Sequence, residues 1–74
     1  MKSPIRNTIR ELRAARSMTQ QELANLIFVT RQTVVAIEGD KYSPSLEVAF
    51  RIAHVFDVPL EQVFQYHPPR HSVR

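Results

Sequence analysis

The chain predicts an all-α fold of five short helices, and three observations predict it. Apolar residues recur three and four positions apart along most of the 74 residues, and no stretch alternates as a strand would. Residues 20–39, QQELANLIFVTRQTVVAIEG, hold two such stripes with only Phe28 and Val29 between them. Residues that cap helices, Ser3, Thr19, Thr30 and Ser45, stand immediately ahead of the stripes.

Size and composition narrow the class. Seventy-four residues make one small domain that buries roughly 60–65% of its unfolded surface. With no cysteine, neither disulfides nor thiolate zinc can staple it, so the 43% hydrophobic residues must supply the core. No apolar run approaches the roughly 20 residues that span a bilayer. The N-terminus MKSPIRNTIRELR is too charged for a signal sequence, and a cytoplasmic protein is expected. The net charge is +3, and Arg6, Arg10, Arg13 and Arg16 fall within eleven residues, a balance that suits a polyanion or simply a soluble surface.

Helix 1 is expected to open at Ser3-Pro4, with serine as cap and proline in the first turn. Ile5, Ile9 and Leu12 form its apolar stripe, and Arg6, Arg10, Arg13 and Arg16 form a basic stripe about 100° away. Two roles suit Arg6 and Arg10: facing a polyanion, or solubility and pairing with acids. Thr19 and Glu22 form a capping box that starts helix 2, Gln20 to Ile27. Leu23, Ala24 and Ile27 point inward, and small Ala24 lets the next helix approach. Thr30 caps helix 3, Arg31 to Glu38, whose Val34 and Ile37 face the core. The bend between them is too short for antiparallel helices, so they cross at a wide angle. Gly39 is expected to end helix 3 in the left-handed conformation. Ser45 caps helix 4. Leu46, Ala49, Phe50 and Ala53, widened by Val48, Ile52, Val55 and Phe56, leave only Glu47, Arg51 and His54 polar, as in a central core helix whose valines exceed what a monomer needs. Leu60, Val63 and Phe64 suit a short helix 5 that lids the core. Residues 1–66 make up the domain, and residues 67–74, HPPRHSVR, read as a mobile tail.

The outer side of helix 3 carries Arg31, Gln32, Thr33, Val35 and Ala36. Arginine can grip guanine and glutamine adenine, and small apolar groups can meet the thymine methyl in a DNA major groove. These twenty residues resemble the helix-turn-helix of the phage-repressor/Cro type, the XRE family. The family's alanine matches Ala24, its first-position glutamine Gln20, and its late aliphatic positions Val34 and Ile37. The resemblance covers residues 5–64 through IRELRAARSMTQQELA, TRQTVVAIE, KYSPSLEVAFRIA and VPLEQVF, in the family's order. It implies a five-helix lambda-repressor-like DNA-binding domain acting as a homodimer on double-stranded DNA, most often as a repressor. Arg31, Gln32, Thr33 and Ala36 would read bases. Arg13, Thr19, Gln20, Thr30 and Lys41 would hold phosphates, although Gln20 is also simply a good helix former. It also implies an Arg13–Glu38 ion pair. The dimer would form through helix 5 and the Phe64–Tyr66 region, with helix 4 aiding.

The chain departs from the family at its bends. Ser17, Phe28 and Asp57 stand where glycine is common, and Gly39-Asp40 replaces an asparagine-glycine pair. Phe28 either packs on neighbouring side chains or contacts a partner. No nucleophile–base spacing, glycine-rich phosphate loop or paired carboxylates suggest an enzyme. His67 and His71 are separated by Pro68-Pro69, so no metal site, cofactor or small-molecule ligand is expected. The rival reading is a protein-binding module on the same fold, an antitoxin or an adaptor.

Overall fold

The protein is described by a computed structural model for residues 4–68. The elements run β1 (Ile5–Asn7), α1 (Ile9–Ala15), α2 (Gln20–Ile27), α3 (Arg31–Glu38), α4 (Leu46–Phe56), α5 (Leu60–Val63) and β2 (Phe64–Tyr66). The five expected helices are present, joined by a small antiparallel sheet in which Ile5 pairs with Tyr66, Arg6 with Gln65 and Asn7 with Phe64.

That sheet corrects two expectations, the absence of strands and a helix 1 that opens at Ser3-Pro4; Ser3 itself lies outside the described residues. Ile5 is spaced correctly for the Ile9 and Leu12 stripe, but three residues of ladder pairing hold it extended. The helix starts at Ile9, where Asn7 takes its first amide and Thr8 is tied instead to the end of α5. Asn7 Oδ1 accepts from the Ile9 amide at 3.1 Å. Thr8 donates its amide to the Val63 carbonyl at 2.9 Å and its hydroxyl to Gln62. Both are residue types that favour helix starts over interiors. At the other end of the sheet, the His67 amide reaches the Pro4 carbonyl at 2.7 Å. The tail expected over 67–74 lies, from residue 69, outside the described residues.

The other starts follow the sequence. The capping box of α2 is complete: the Glu22 amide donates to Thr19 Oγ1 at 3.0 Å, and the Thr19 amide to Glu22 Oε1 at 2.8 Å. Thr30 and Ser45 cap α3 and α4 through the amides of Thr33 and Val48, each at 3.2 Å. The core joins Ile9 of α1, Leu23, Ala24 and Ile27 of α2, Val34 and Ile37 of α3, Ile52, Ala53 and Phe56 of α4, and Val63 of α5. Each of these residues is at most 5% exposed, so the helices share one interior.

Helix α4 differs from expectation. Val48 and Val55 pack against the core, whereas Leu46 and Phe50 are 68% and 53% exposed. The helix is buried along Ala49, Ile52, Ala53 and Phe56, so its surplus apolar surface lies on a different face from the one the valines suggested.

Four bends take a left-handed backbone on residues with side chains: Ser17, Phe28, Asp40 and Asp57, at φ of 52°, 62°, 60° and 56°. Such a conformation costs an L residue about 1–2 kcal/mol. The chain's single glycine uses none of this freedom. Gly39 has φ −84°, contrary to the expectation that it closes α3 left-handed; Asp40 does so one position later. A β-carbon on Gly39 would meet the Val35 carbonyl oxygen at 3.4 Å, an ordinary contact. Gly39→Ala should therefore stabilise the fold by about 0.4–1 kcal/mol through a less disordered unfolded chain. Urea unfolding measures this, and a loss of stability would contradict it.

Candidate nucleic-acid interface

The surface of interest is built where α2 and α3 meet. Thr30 starts α3 with its hydroxyl 3.0 Å from that of Thr33. One turn of helix later, Val34 and Ile37 are buried, which rotates the opposite side outward. Arg31, Gln32 and Val35 are exposed, and Thr33 and Ala36 are half-buried. A shallow hollow beside them is lined by Arg31, Gln32, Val35 and Ala36 from α3, Arg10 from α1, Gln20 from α2, and Glu38, Gly39 and Lys41 from the end of α3. A helix face with donors and methyls thus lies between basic residues from both sides.

One acid sits in this hollow, and its charge is compensated. The Glu38 side chain is 2% exposed. Arg13 grips it with two bonds, Nε to Oε2 at 2.6 Å and Nη2 to Oε1 at 3.0 Å. Gln20 Nε2 donates to the same Oε1 at 3.2 Å, and Arg10 stands 4.0 Å away. The third arm of Arg13, Nη1, donates to the Met18 carbonyl at 2.8 Å. The hydrogen bonds with Glu38 raise the Arg13 pKa above the ordinary arginine value, against the opposing effect of its burial. One buried pair therefore ties α1, the start of α2 and the end of α3 together.

Residues 9–63 match the helix-turn-helix family model. The chain is 45% identical over 62 residues to an uncharacterized HTH-type transcriptional regulator of Methanocaldococcus jannaschii, which covers 84% of this chain and 94% of that one. The chain belongs to the helix-turn-helix family of the XRE/Cro type. Its fold is shared with the restriction-modification controller protein of Aeromonas hydrophila, with a TM-score of 0.68 and 30% identity over 73% of this chain and 82% of the other. It is also shared with a Bacteroides fragilis protein, with a TM-score of 0.74 at 23% identity, over 82% and 98% of the two chains. The family is one of regulators, not enzymes. Among the described residues no helix is long and apolar enough to cross a membrane.

Within this helix-turn-helix, the residues expected to read bases and those expected to hold phosphates partly share one hollow. Arg31, Gln32 and Ala36 line the hollow, and so do Gln20 and Lys41. Thr19 and Thr30 are exposed at the starts of α2 and α3, with their hydroxyls engaged as caps. Thr33 shares a hydrogen bond with Thr30. Arg13 faces inward, all three arms occupied by protein groups, so it braces the surface from behind.

The basic stripe of helix 1 is largely consumed inside the molecule. Arg6 pairs with Asp40 at 3.4 Å. Arg16 donates to the carbonyls of Val55 and Phe56, at 2.9 and 2.8 Å, and lies over the Phe56 ring, closing the C-terminal end of α4. Arg10, which the sequence left divided between two roles, stays 76% exposed on the hollow and joins the candidate residues, together with Val35.

Phe28 keeps the left-handed bend and remains 80% exposed. Arg51 lies over its ring, with the guanidinium carbon 5.3 Å from the ring centre, while Nη1 donates to the Ile27 carbonyl at 3.1 Å. It lines a separate hollow with Leu26 and Phe50, not the one beside α3.

Proposed function

We propose that the protein is a sequence-specific DNA-binding transcriptional regulator, a repressor acting as a homodimer, that reads the major groove with α3. The observation that carries this reading is the outward face of Arg31, Gln32, Val35 and Ala36, flanked by Arg10, Gln20 and Lys41. Arginine and glutamine are the side chains that grip guanine and adenine edges in pairs of bonds, and the methyl-bearing Val35 and Ala36 suit thymine. Gln20, Thr19 and Thr30 stand at helix starts, where free amides favour phosphate. The Glu38 carboxylate has its charge matched by Arg13, which reduces its repulsion of a polyanion at the site.

Dimerisation is supported by apolar surface on the side of α4 and α5. Leu46 and Tyr66 are 68% and 64% exposed, and a hollow lined by Ile5, Pro44, Leu46, Ala49, Leu60 and Phe64 adjoins them. A single reading helix meets only a few base pairs, each worth about 1–3 kcal/mol of discrimination. Two joined copies reach half-sites about one helical turn, ~34 Å, apart. The same apolar surface favours a second reading, in which a different protein occupies it and controls the regulator.

Selection of bound sequences from random duplexes tests both readings. The expected result is a two-fold symmetric motif with half-sites one turn apart, bound more weakly as salt rises. Recovery of no preferred sequence would remove the DNA-reading proposal and leave the protein-binding one.

A further inference from the structure

An acid stands at the edge of the proposed DNA surface in a backbone conformation that suits glycine, and residues from the other end of the chain hold it there. Asp40 has φ 60°, and its side chain is 20% exposed. Its carboxylate turns away from the hollow beside α3, towards β1. Asn7 Nδ2 donates to Asp40 Oδ1 at 3.1 Å and also to the Ile37 carbonyl at 2.9 Å, in the last turn of α3. Arg6 Nη1 reaches Asp40 Oδ2 at 3.4 Å. Asn7 cannot rotate freely, because its Oδ1 is held by the Ile9 amide and its backbone pairs with Phe64.

The turn so held leads directly to a residue of the interface. The Asp40 amide donates to the Ile37 carbonyl at 3.1 Å, and the Lys41 amide to the Ala36 carbonyl at 2.9 Å. Lys41 therefore takes its direction from the same short bend that Asn7 and Arg6 clamp from the terminal sheet. Arg6 also offsets a negative charge that would otherwise stand near the phosphates, since an opposite charge nearby neutralises its field at short range.

We propose that Arg6 and Asn7 are positioning residues for DNA recognition: through Asp40 they aim the end of α3 and Lys41 at the duplex. This rests on the DNA-reading function proposed above. It gives the small sheet a task beyond closing the core, because the strand that pairs with the C-terminal β2 also sets the exit of the reading helix.

The deciding variant is Asp40→Gly. Glycine adopts the left-handed bend without strain, which offsets the bonds lost from Asn7 and Arg6, so the fold should melt within a few degrees of wild type. If Asp40 acted only as a negative charge, its removal would tighten binding to every DNA alike. If it is the held end of a clamp, the ratio of affinity for the selected site to that for random duplex falls about fivefold to tenfold, and the salt slope loses about one phosphate contact. Asn7→Ala should lower the ratio in the same direction, and the double variant should lose less than the product of the two single losses, because the two residues share the Asn7–Asp40 contact. An unchanged or rising ratio in Asp40→Gly, or losses that multiply in the double variant, would overturn the clamp while the DNA reading stands. A wild-type protein that selects no sequence would remove both.

Discussion

Replacing Arg13 with alanine should lower the unfolding free energy by about 3 kcal/mol or more. The reason is the carboxylate left behind. The Glu38 side chain is 2% exposed, and truncating Arg13 strips it of two charge-assisted bonds at once. Breaking a buried pair from one side costs about 3–5 kcal/mol, against ~0–1 kcal/mol for a pair on the surface. Gln20 stays bonded to Glu38, and Arg10 is within reach, so the low end of that range is expected. Domains hold roughly 0.05–0.15 kcal/mol per residue, so the loss is a large share of the total for 74 residues. Urea unfolding gives the value. A loss below about 1 kcal/mol would mean that the pair behaves as an exposed one. Glu38→Gln, which removes the charge but keeps the shape, should cost less than Arg13→Ala. The pH dependence follows from sign. A cation whose folded pKa is raised contributes stability that is complete below its unfolded value and fades only as pH rises through the folded one. For Arg13 that window lies above the arginine range, so its contribution should not change between roughly pH 6 and pH 9.

The second large effect concerns DNA. Arg31→Ala and Gln32→Ala should each weaken the selected site by about 1–3 kcal/mol and relax the base preference at one position of each half-site. Their side chains are exposed and make no bond that holds the fold together, so the melting temperature should stay within a few degrees of wild type. Arg31→Ala also removes a positive charge, which lowers affinity for all duplexes somewhat. Gln32→Ala carries no such charge effect and is the cleaner probe. Competition binding with the selected and scrambled duplexes separates the two contributions. Equal shifts on every duplex would mean that α3 is not the reader.

Much of the fold was legible because its signals are local. The capping box at Thr19 and Glu22, the caps at Thr30 and Ser45, and the spacing of Leu23, Ala24, Ile27, Val34 and Ile37 each involve residues within a turn or two of one another. The outward face of α3 then follows by subtraction. The Arg13–Glu38 pair was read from the family resemblance, since no local rule joins residues 25 positions apart. The sheet leaves no mark in the sequence for a related reason. Three residues of strand carry no periodicity, and Ile5 fits a helical stripe equally well until residues 64–66 are placed beside it. The Asn7-Thr8 pair was the one available sign of a later helix start.

Charge placement was the least legible part. Arg6, Arg10, Arg13 and Arg16 look alike as a stripe, yet one meets Asp40, one faces the hollow, one is locked to Glu38 and one closes α4. Long side chains choose partners across the fold by a few ångströms of reach, and sequence spacing does not record that distance. Likewise Leu46 and Phe50 fit a buried stripe, and only the position of α4 against its neighbours leaves them uncovered.

The amino-acid order alone determined five helices, the capped starts of α2, α3 and α4, the inward residues of the helix pair and the face that α3 turns outward, because propensity, capping and periodicity act between near neighbours. Tertiary structure alone decided which arginines remain available to a polyanion, that the terminal strands pair, and that Asp40 is turned away from the surface, because those outcomes depend on contacts between residues 25 to 61 positions apart.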